Sequence, residues 1–171
     1  IYYHRLCDQK LLEENKSREW GEARLRDKVG TLIKARLELV EEKELVRRAT
    51  TLFALPQNNL TGLKLIWETS DIIWKIAGDT SNDINWYTKR TTLSAVYGAV
   101  VLFWLGDNSS ESEKTWEFVD RRLADVMGFE KFKSTLRANP ALKPFNDLIR
   151  KSVSGIKSPI DHDSPKPGDF R

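Results

Sequence analysis

The sequence predicts an all-α fold. Apolar residues recur at steps of three and four along most of the chain, the spacing of one face of a helix. No run alternates with the period of two that a half-buried strand needs, and no stretch repeats another. Turn-forming residues fall where the helical runs pause.

The first run spans Glu22 to Glu41, with Leu25, Val29, Leu32, Ile33, Leu37 and Val40 on one face. A second carries Val46, Ala49, Leu52 and Phe53 and stops near Pro56, because proline disfavours helix in the residue before it. Pro56-Gln57-Asn58-Asn59 reads as a turn. Leu63, Ile66, Trp67, Ile73, Trp74 and Ala77 form a third run that ends at Gly78. After a polar loop, Asn82 or Asp83 suits the N-cap of a long helix from Ile84 to Leu105. That helix is apolar nearly all round from Leu93, so it is expected to be buried on every side within a bundle. Ser110 and Glu113 have capping-box spacing before a helix with Trp116, Val119, Leu123, Val126 and Met127, which Gly128 is expected to end.

Beyond that point the composition changes. Residues 130–157 hold seven cations against Glu130 and Asp147, a net +5 in a chain whose total is +3. Asn139-Pro140 suits a helix start, and Leu142, Phe145, Leu148, Ile149, Val153 and Ile156 lie on one stripe with Arg150 and Lys151 beside it. Pro159, Pro165 and Pro167 mark residues 158–171 as a disordered tail. The expected organisation is a helical domain over 1–139, a basic amphipathic helix over 140–157, and that tail.

The chain has 171 residues, 40% of them hydrophobic and 31% charged, which is a globular composition suited to one domain. A net charge of +3 is too near balance to imply nucleic-acid binding. Cys7 is the only cysteine, which excludes an intrachain disulfide and a cysteine zinc site, and fits a reducing compartment. His4 and His162 are the only histidines, too few for a His-rich metal centre. Met127 is the only methionine, so the chain reads as a fragment of a longer one. No Gly-rich phosphate loop, G-x-S-x-G, H-E-x-x-H or C-x-x-C is present, and neither a catalytic residue nor a cofactor is expected.

Three constellations remain. Thr91–Gly106 is an uncharged run of 16 residues, about 24 Å as a helix and short of the roughly 30 Å of bilayer hydrocarbon. Its small residues Ala95, Gly98 and Ala99 either pack against a neighbouring helix or leave room for an apolar ligand. The basic stretch 141–157 docks on its own domain, fills a partner groove, or lies on a membrane surface. Trp86 and Tyr87 are adjacent aromatics that cannot share one narrow helical face, so they form either an interface patch or packing under the preceding loop.

Four blocks occur in order: Ala54-Leu55-Pro56-Gln57-Asn58; Trp74 with Ala77-Gly78-Asp79-Thr80-Ser81; Asp83-Ile84-Asn85-Trp86-Tyr87-Thr88-Lys89-Arg90; and Thr115-Trp116-Glu117-Phe118 with Asp120-Arg121-Arg122. Over about residues 20 to 157 the chain resembles the family of coenzyme Q biosynthesis protein nine. The resemblance implies a TetR-like all-α fold without DNA binding, its N-terminal helix-turn-helix-like part mostly missing here. It implies a non-enzymatic accessory protein of ubiquinone biosynthesis that binds isoprenoid quinone precursors, forms a homodimer and presents lipid to a ring hydroxylase at a membrane. By the same resemblance, Asp83, Trp86 and Tyr87, with Asn85, Lys89 and Arg90 beside them, are the hydroxylase contact. Leu142, Phe145, Leu148, Ile149, Arg150, Lys151, Val153 and Ile156 are the membrane contact. Leu63, Ile66, Trp67, Ile73, Trp74, Val96, Val100 and Phe103 are the cavity candidates. The location implied is the bacterial inner membrane, from the cytoplasm, or alternatively the matrix side of the mitochondrial inner membrane. The alternative function is the ligand-binding domain of a TetR-type transcriptional regulator.

Overall fold

The computed structural model describes residues 1–82 and 84–138, with the backbone alone from 127 onward. The described residues form six helices: α1 (Tyr2–Asn15), α2 (Leu25–Glu38), α3 (Lys43–Phe53), α4 (Asn59–Ile76), α5 (Ile84–Gly106) and α6 (Glu113–Ala138). A short 3-10 turn, Ser110–Ser112, precedes α6. Among the described residues there is no strand, as the missing period-two signal requires. Asp83, the stretch 140–157 and the tail 158–171 lie outside the described residues.

The core is where the apolar stripes meet. Val29, Leu32, Ile33 and Leu37 of α2, Ile73 of α4, Leu93, Val96, Tyr97 and Val100 of α5, and Val119 and Leu123 of α6 are all buried in one cluster. α4 and α5 make the most extensive pairing, and α6 packs against both α5 and α2. Ser94 donates to Ser70 across the α4–α5 seam at 3.1 Å, and the Ile66 side chain lies against Gly98.

Helix α1, which the sequence pattern does not announce, seals the core with Cys7, Leu11 and Asn15 and brings in a buried charge, Asp8. Arg36 of α2 pairs with Asp8, and Thr69 of α4 donates to both carboxylate oxygens at 3.0 and 3.1 Å. His4 closes the group, its Nε2 2.9 Å from the Thr69 hydroxyl. Burial would raise the Asp8 pKa, but its hydrogen bond with His4 and the charge of Arg36 hold it below the usual carboxylate value.

Three local expectations change. α5 is buried along one face, and Leu102 and Phe103 stand on the open one, 61% and 36% exposed. The apolar run is wider than the contacts that its neighbours make. Gly128 does not end α6, which continues to Ala138. A glycine inside a helix costs only about 1 kcal/mol against alanine, and Glu130, Lys131 and Lys133 after it are helix formers. Nor is α6 capped by Ser110. Asp107 accepts from the Thr115 amide at 2.9 Å and Ser109 from the Lys114 amide at 3.1 Å. These two oxygens satisfy donors that the first turn of a helix leaves unpaired.

Candidate functional site

The loop between α4 and α5 is built around Gly78, whose φ of +85° favours glycine. Its amide donates to the Lys75 carbonyl at 3.1 Å and the Asp79 amide to the Trp74 carbonyl at 3.0 Å. This pair of bonds is the Schellman closure of α4, and it aims Asp79 back at α5.

Asp79 is the hub. Lys89 donates to its Oδ1 at 2.7 Å and Arg90 to its Oδ2 at 3.0 Å, while the Ser81 hydroxyl holds Oδ1 at 2.8 Å. Burial would raise the Asp79 pKa, but the hydrogen bonds from Lys89, Ser81 and Arg90 outweigh it and hold the carboxyl at about 2. Arg90 is almost wholly buried and also donates to Asp71 of α4 at 2.6 Å. Lys89 bridges to Ser81 at 2.7 Å, and the Trp74 indole donates to the Lys89 carbonyl at 3.0 Å.

The aromatic patch rests on this network. Arg90 lies 4.0 Å from the centre of the Trp86 ring. Tyr87 meets Trp86 edge-on at 4.8 Å, and Trp67 of α4 meets it at 6.0 Å with the rings tilted by 59°. All three rings are half-buried, so each keeps one part in solvent. Asn85 is exposed beside them.

The structure therefore divides the predicted contact set. Trp86, Tyr87 and Asn85 face outward in whole or part, whereas Arg90 turns inward beneath Trp86 and Lys89, itself partly exposed, is tied to Asp79. Asp79 and Asp71, which complete the network, were not singled out from sequence. Asp79 did stand inside the quoted Gly78–Ser81 block. Asp83 falls outside the described residues, as do all the membrane-contact candidates from Leu142 to Ile156.

The eight cavity candidates are dispersed. Ile73, Val96 and Val100 lie in the packed core, with Ile66 and Trp74 against it. Trp67 joins the aromatic patch, Leu63 stands in solvent, and Phe103 stacks on Phe118 at 4.4 Å. A surface pocket of about 510 Å3 is lined by Leu102, Phe103, Asp107, Ser109 and Lys114 among others, and Phe103 is the one candidate that it includes. Among the described residues no cluster of three or more His, Cys, Asp or Glu is placed to hold a metal, and no helix is long and apolar enough to cross a membrane.

Residues 60–130, which contain this network and its helices, match the family model COQ9. The mitochondrial ubiquinone biosynthesis protein COQ9 of Rattus norvegicus is 36% identical over 124 residues, covering 68% of this chain and 39% of the rat protein. The Homo sapiens protein of that name is also 36% identical over 124 residues, covering 68% and 38%. The probable mitochondrial ubiquinone biosynthesis protein coq9 of Dictyostelium discoideum is 32% identical over 145 residues, covering 80% and 47%. The chain thus spans less than half the length of these relatives. In fold it is similar to a TetR transcriptional regulator from Nitrosomonas europaea, with a TM-score of 0.59 at 18% identity, covering 72% of this chain and 68% of the regulator. With a family model on the helices of the aromatic site, relatives from mammals to a slime mould and a TetR-like bundle, the chain belongs to the COQ9 family.

Proposed function

We propose that this chain serves ubiquinone biosynthesis as a non-enzymatic accessory protein. It binds an isoprenoid quinone precursor and presents it to a ring hydroxylase of the pathway. The observation that carries the reading is the Trp67–Trp86–Tyr87 cluster, three half-buried rings of which the middle one, Trp86, rests on Arg90. Trp and Tyr anchored on a rigid support and open to solvent are what a protein-binding hot spot is made of. The names of the relatives supply the pathway, and their being mitochondrial supports the mitochondrial location over the bacterial one.

In this reading the lipid tail enters the seam between α4 and α5, near Ile66, Trp74, Val96 and Val100. Each buried CH2 contributes about 0.8 kcal/mol, so an apolar seam extracts a prenyl chain without a charged contact. Ile73, Val96 and Val100 are already packed, so uptake requires the helices to part. Membrane contact falls to the stretch from Leu142 to Ile156, and the active form is a homodimer.

Native mass spectrometry of the purified protein, followed by extraction of co-purified lipid, tests the cargo. Polyprenyl quinones or their precursors are the expected finding. A lipid-free protein that takes up no ubiquinone from liposomes would overturn the carrier role. Pull-down with the hydroxylase tests the patch. Trp86→Lys should abolish capture while helicity is retained, and undiminished capture would remove the patch from the interface.

A further inference from the structure

α6 runs back along α5. The Thr115 amide and hydroxyl donate to Asp107, just past the end of α5, and Phe118 stacks on Phe103 one turn further in. From Phe118 to Ala138, the last described residue, α6 extends about 30 Å. From Phe103 back to Trp86, α5 extends about 26 Å. The described chain therefore ends level with the first turns of α5, where Trp86 and Tyr87 stand against Trp67. Leu102 and Phe103, the exposed large apolar residues of α5, lie at the opposite end of that helix.

Residues 139–141 span at most about 10 Å when extended, and a helix over 142–156 is about 22 Å long. That length covers three rings whose centres lie 6.0 and 4.8 Å apart. Leu142, Phe145, Leu148, Ile149, Val153 and Ile156 share one stripe of the stretch. Large apolar side chains at this density are costly to leave in water. Half-buried Trp and Tyr suit such a stripe, because each offers a broad apolar face and keeps its polar edge wet. A segment on so short a link meets its target at an effective concentration of order mM, so even a weak apolar contact is populated.

We propose that residues 142–156 fold over the Trp67–Trp86–Tyr87 cluster in the absence of a membrane and leave it when a bilayer takes up their apolar stripe. The cluster is then covered in solution and uncovered at a membrane, so the hydroxylase is captured only where the lipid is. The bilayer wins the exchange because it accepts the whole stripe, and anionic headgroups attract Lys143, Arg150 and Lys151 beside it. This coupling rests on the reading of the cluster as the hydroxylase contact and of 142–156 as the membrane contact.

The test places nitroxides on Thr91→Cys of α5, an exposed position, and on Ser154→Cys of the full chain, and measures their separation by pulsed electron resonance. The native Cys7 is buried and stays unlabelled. One narrow, short distance is expected in solution. It should lengthen with vesicles of phosphatidylcholine with one quarter phosphatidylglycerol, and should spread with Trp86→Lys at unchanged circular dichroism. A broad distribution in solution, or a short distance that neither vesicles nor Trp86→Lys alter, overturns the proposal. So does a short distance that disappears on dilution with unlabelled chain, which assigns the occupant to a second copy. Without vesicles, Phe145→Glu with Leu148→Glu should capture the hydroxylase at least fivefold better than the parent, and equal capture overturns the proposal. Absence of capture by every form, with or without vesicles, removes the hydroxylase reading of the cluster, and the label distances alone then decide whether 142–156 covers it.

Discussion

Arg90 supports Trp86 from below, its guanidinium 4.0 Å from the ring centre while its nitrogens grip Asp71 and Asp79. A cation buried under an aromatic face and bonded to two carboxylates fixes the height and tilt of the ring above it. The exposed aromatic surface is thus set by the charges packed beneath it.

Asp79 makes that support sensitive to acid. Its folded pKa of about 2 lies below the unfolded value of 3.8, so the stability it contributes is present above pH 4 and is lost as pH falls from 4 to 2. The expected loss is of order 2 kcal/mol. Urea unfolding from pH 7 to pH 2 should show this slope in the parent protein. Asp79→Asn should reduce it, leaving the share of Asp8 and Asp107, and be less stable at neutral pH. An unchanged slope would place the acid sensitivity elsewhere.

The buried Asp8–Arg36 pair predicts a different asymmetry. Arg36→Met leaves a carboxylate stranded in the core and should cost about 3–5 kcal/mol. Adding Asp8→Leu removes the stranded charge, so the double variant should recover most of that loss. Thermal unfolding of both variants measures the difference.

Two glycines should respond in opposite directions. A Cβ on Gly62 would meet the Phe53 Cβ at 2.7 Å, so Gly62→Ala must push α3 off α4 and should destabilise by about 1–3 kcal/mol. On Gly98 the nearest contact would be the Ile66 side chain at 3.5 Å, an ordinary distance. Gly98→Ala should then be neutral, or stabilising by up to about 1 kcal/mol through helix propensity. Equilibrium unfolding of the two variants side by side checks the contrast.

Asp107 accepts from the Ser109 and Thr115 side chains, in that order of influence, and these bonds hold its carboxyl far below the usual range. Asp107→Ala should speed hydrogen exchange at the Thr115 amide, whereas Ser110→Ala should leave the Glu113 amide, the donor a capping box would engage, unchanged. Faster exchange at the Glu113 amide in Ser110→Ala would restore the capping box that the sequence spacing suggests.

Helices with a single clean apolar stripe were legible in the sequence. α2, α4 and the closing Gly78 fall close to where spacing and glycine chemistry place them. Local signals misled where a distant partner intervened. Asp107 outcompetes Ser110 because Ser109 and Thr115 fold around it, a geometry that residue spacing does not contain. Asp8, Arg36 and Thr69 meet from three helices, separated by 28 and 61 residues, so no window along the chain reveals them. Lys89 and Arg90 enter the contact set through the resemblance alone, which says nothing of the carboxylates they bind. Their carboxylate partners sit on the other side of a loop, and only the Schellman turn at Gly78 brings Asp79 to them.

The attachment of α3 sets an order of events under stress. This helix is held by Lys43 and Arg47 at the end of α5, by Val46 at the rim of the core and by Phe53 against Gly62, and none of its residues is fully buried. A unit so lightly buried is expected to open locally at a lower free energy than the core, giving up its tethers to the end of α5 as it does. The molecule can therefore uncover the flank of α4 as a partial excursion, far short of unfolding, and the strength of those few tethers decides how often it does so.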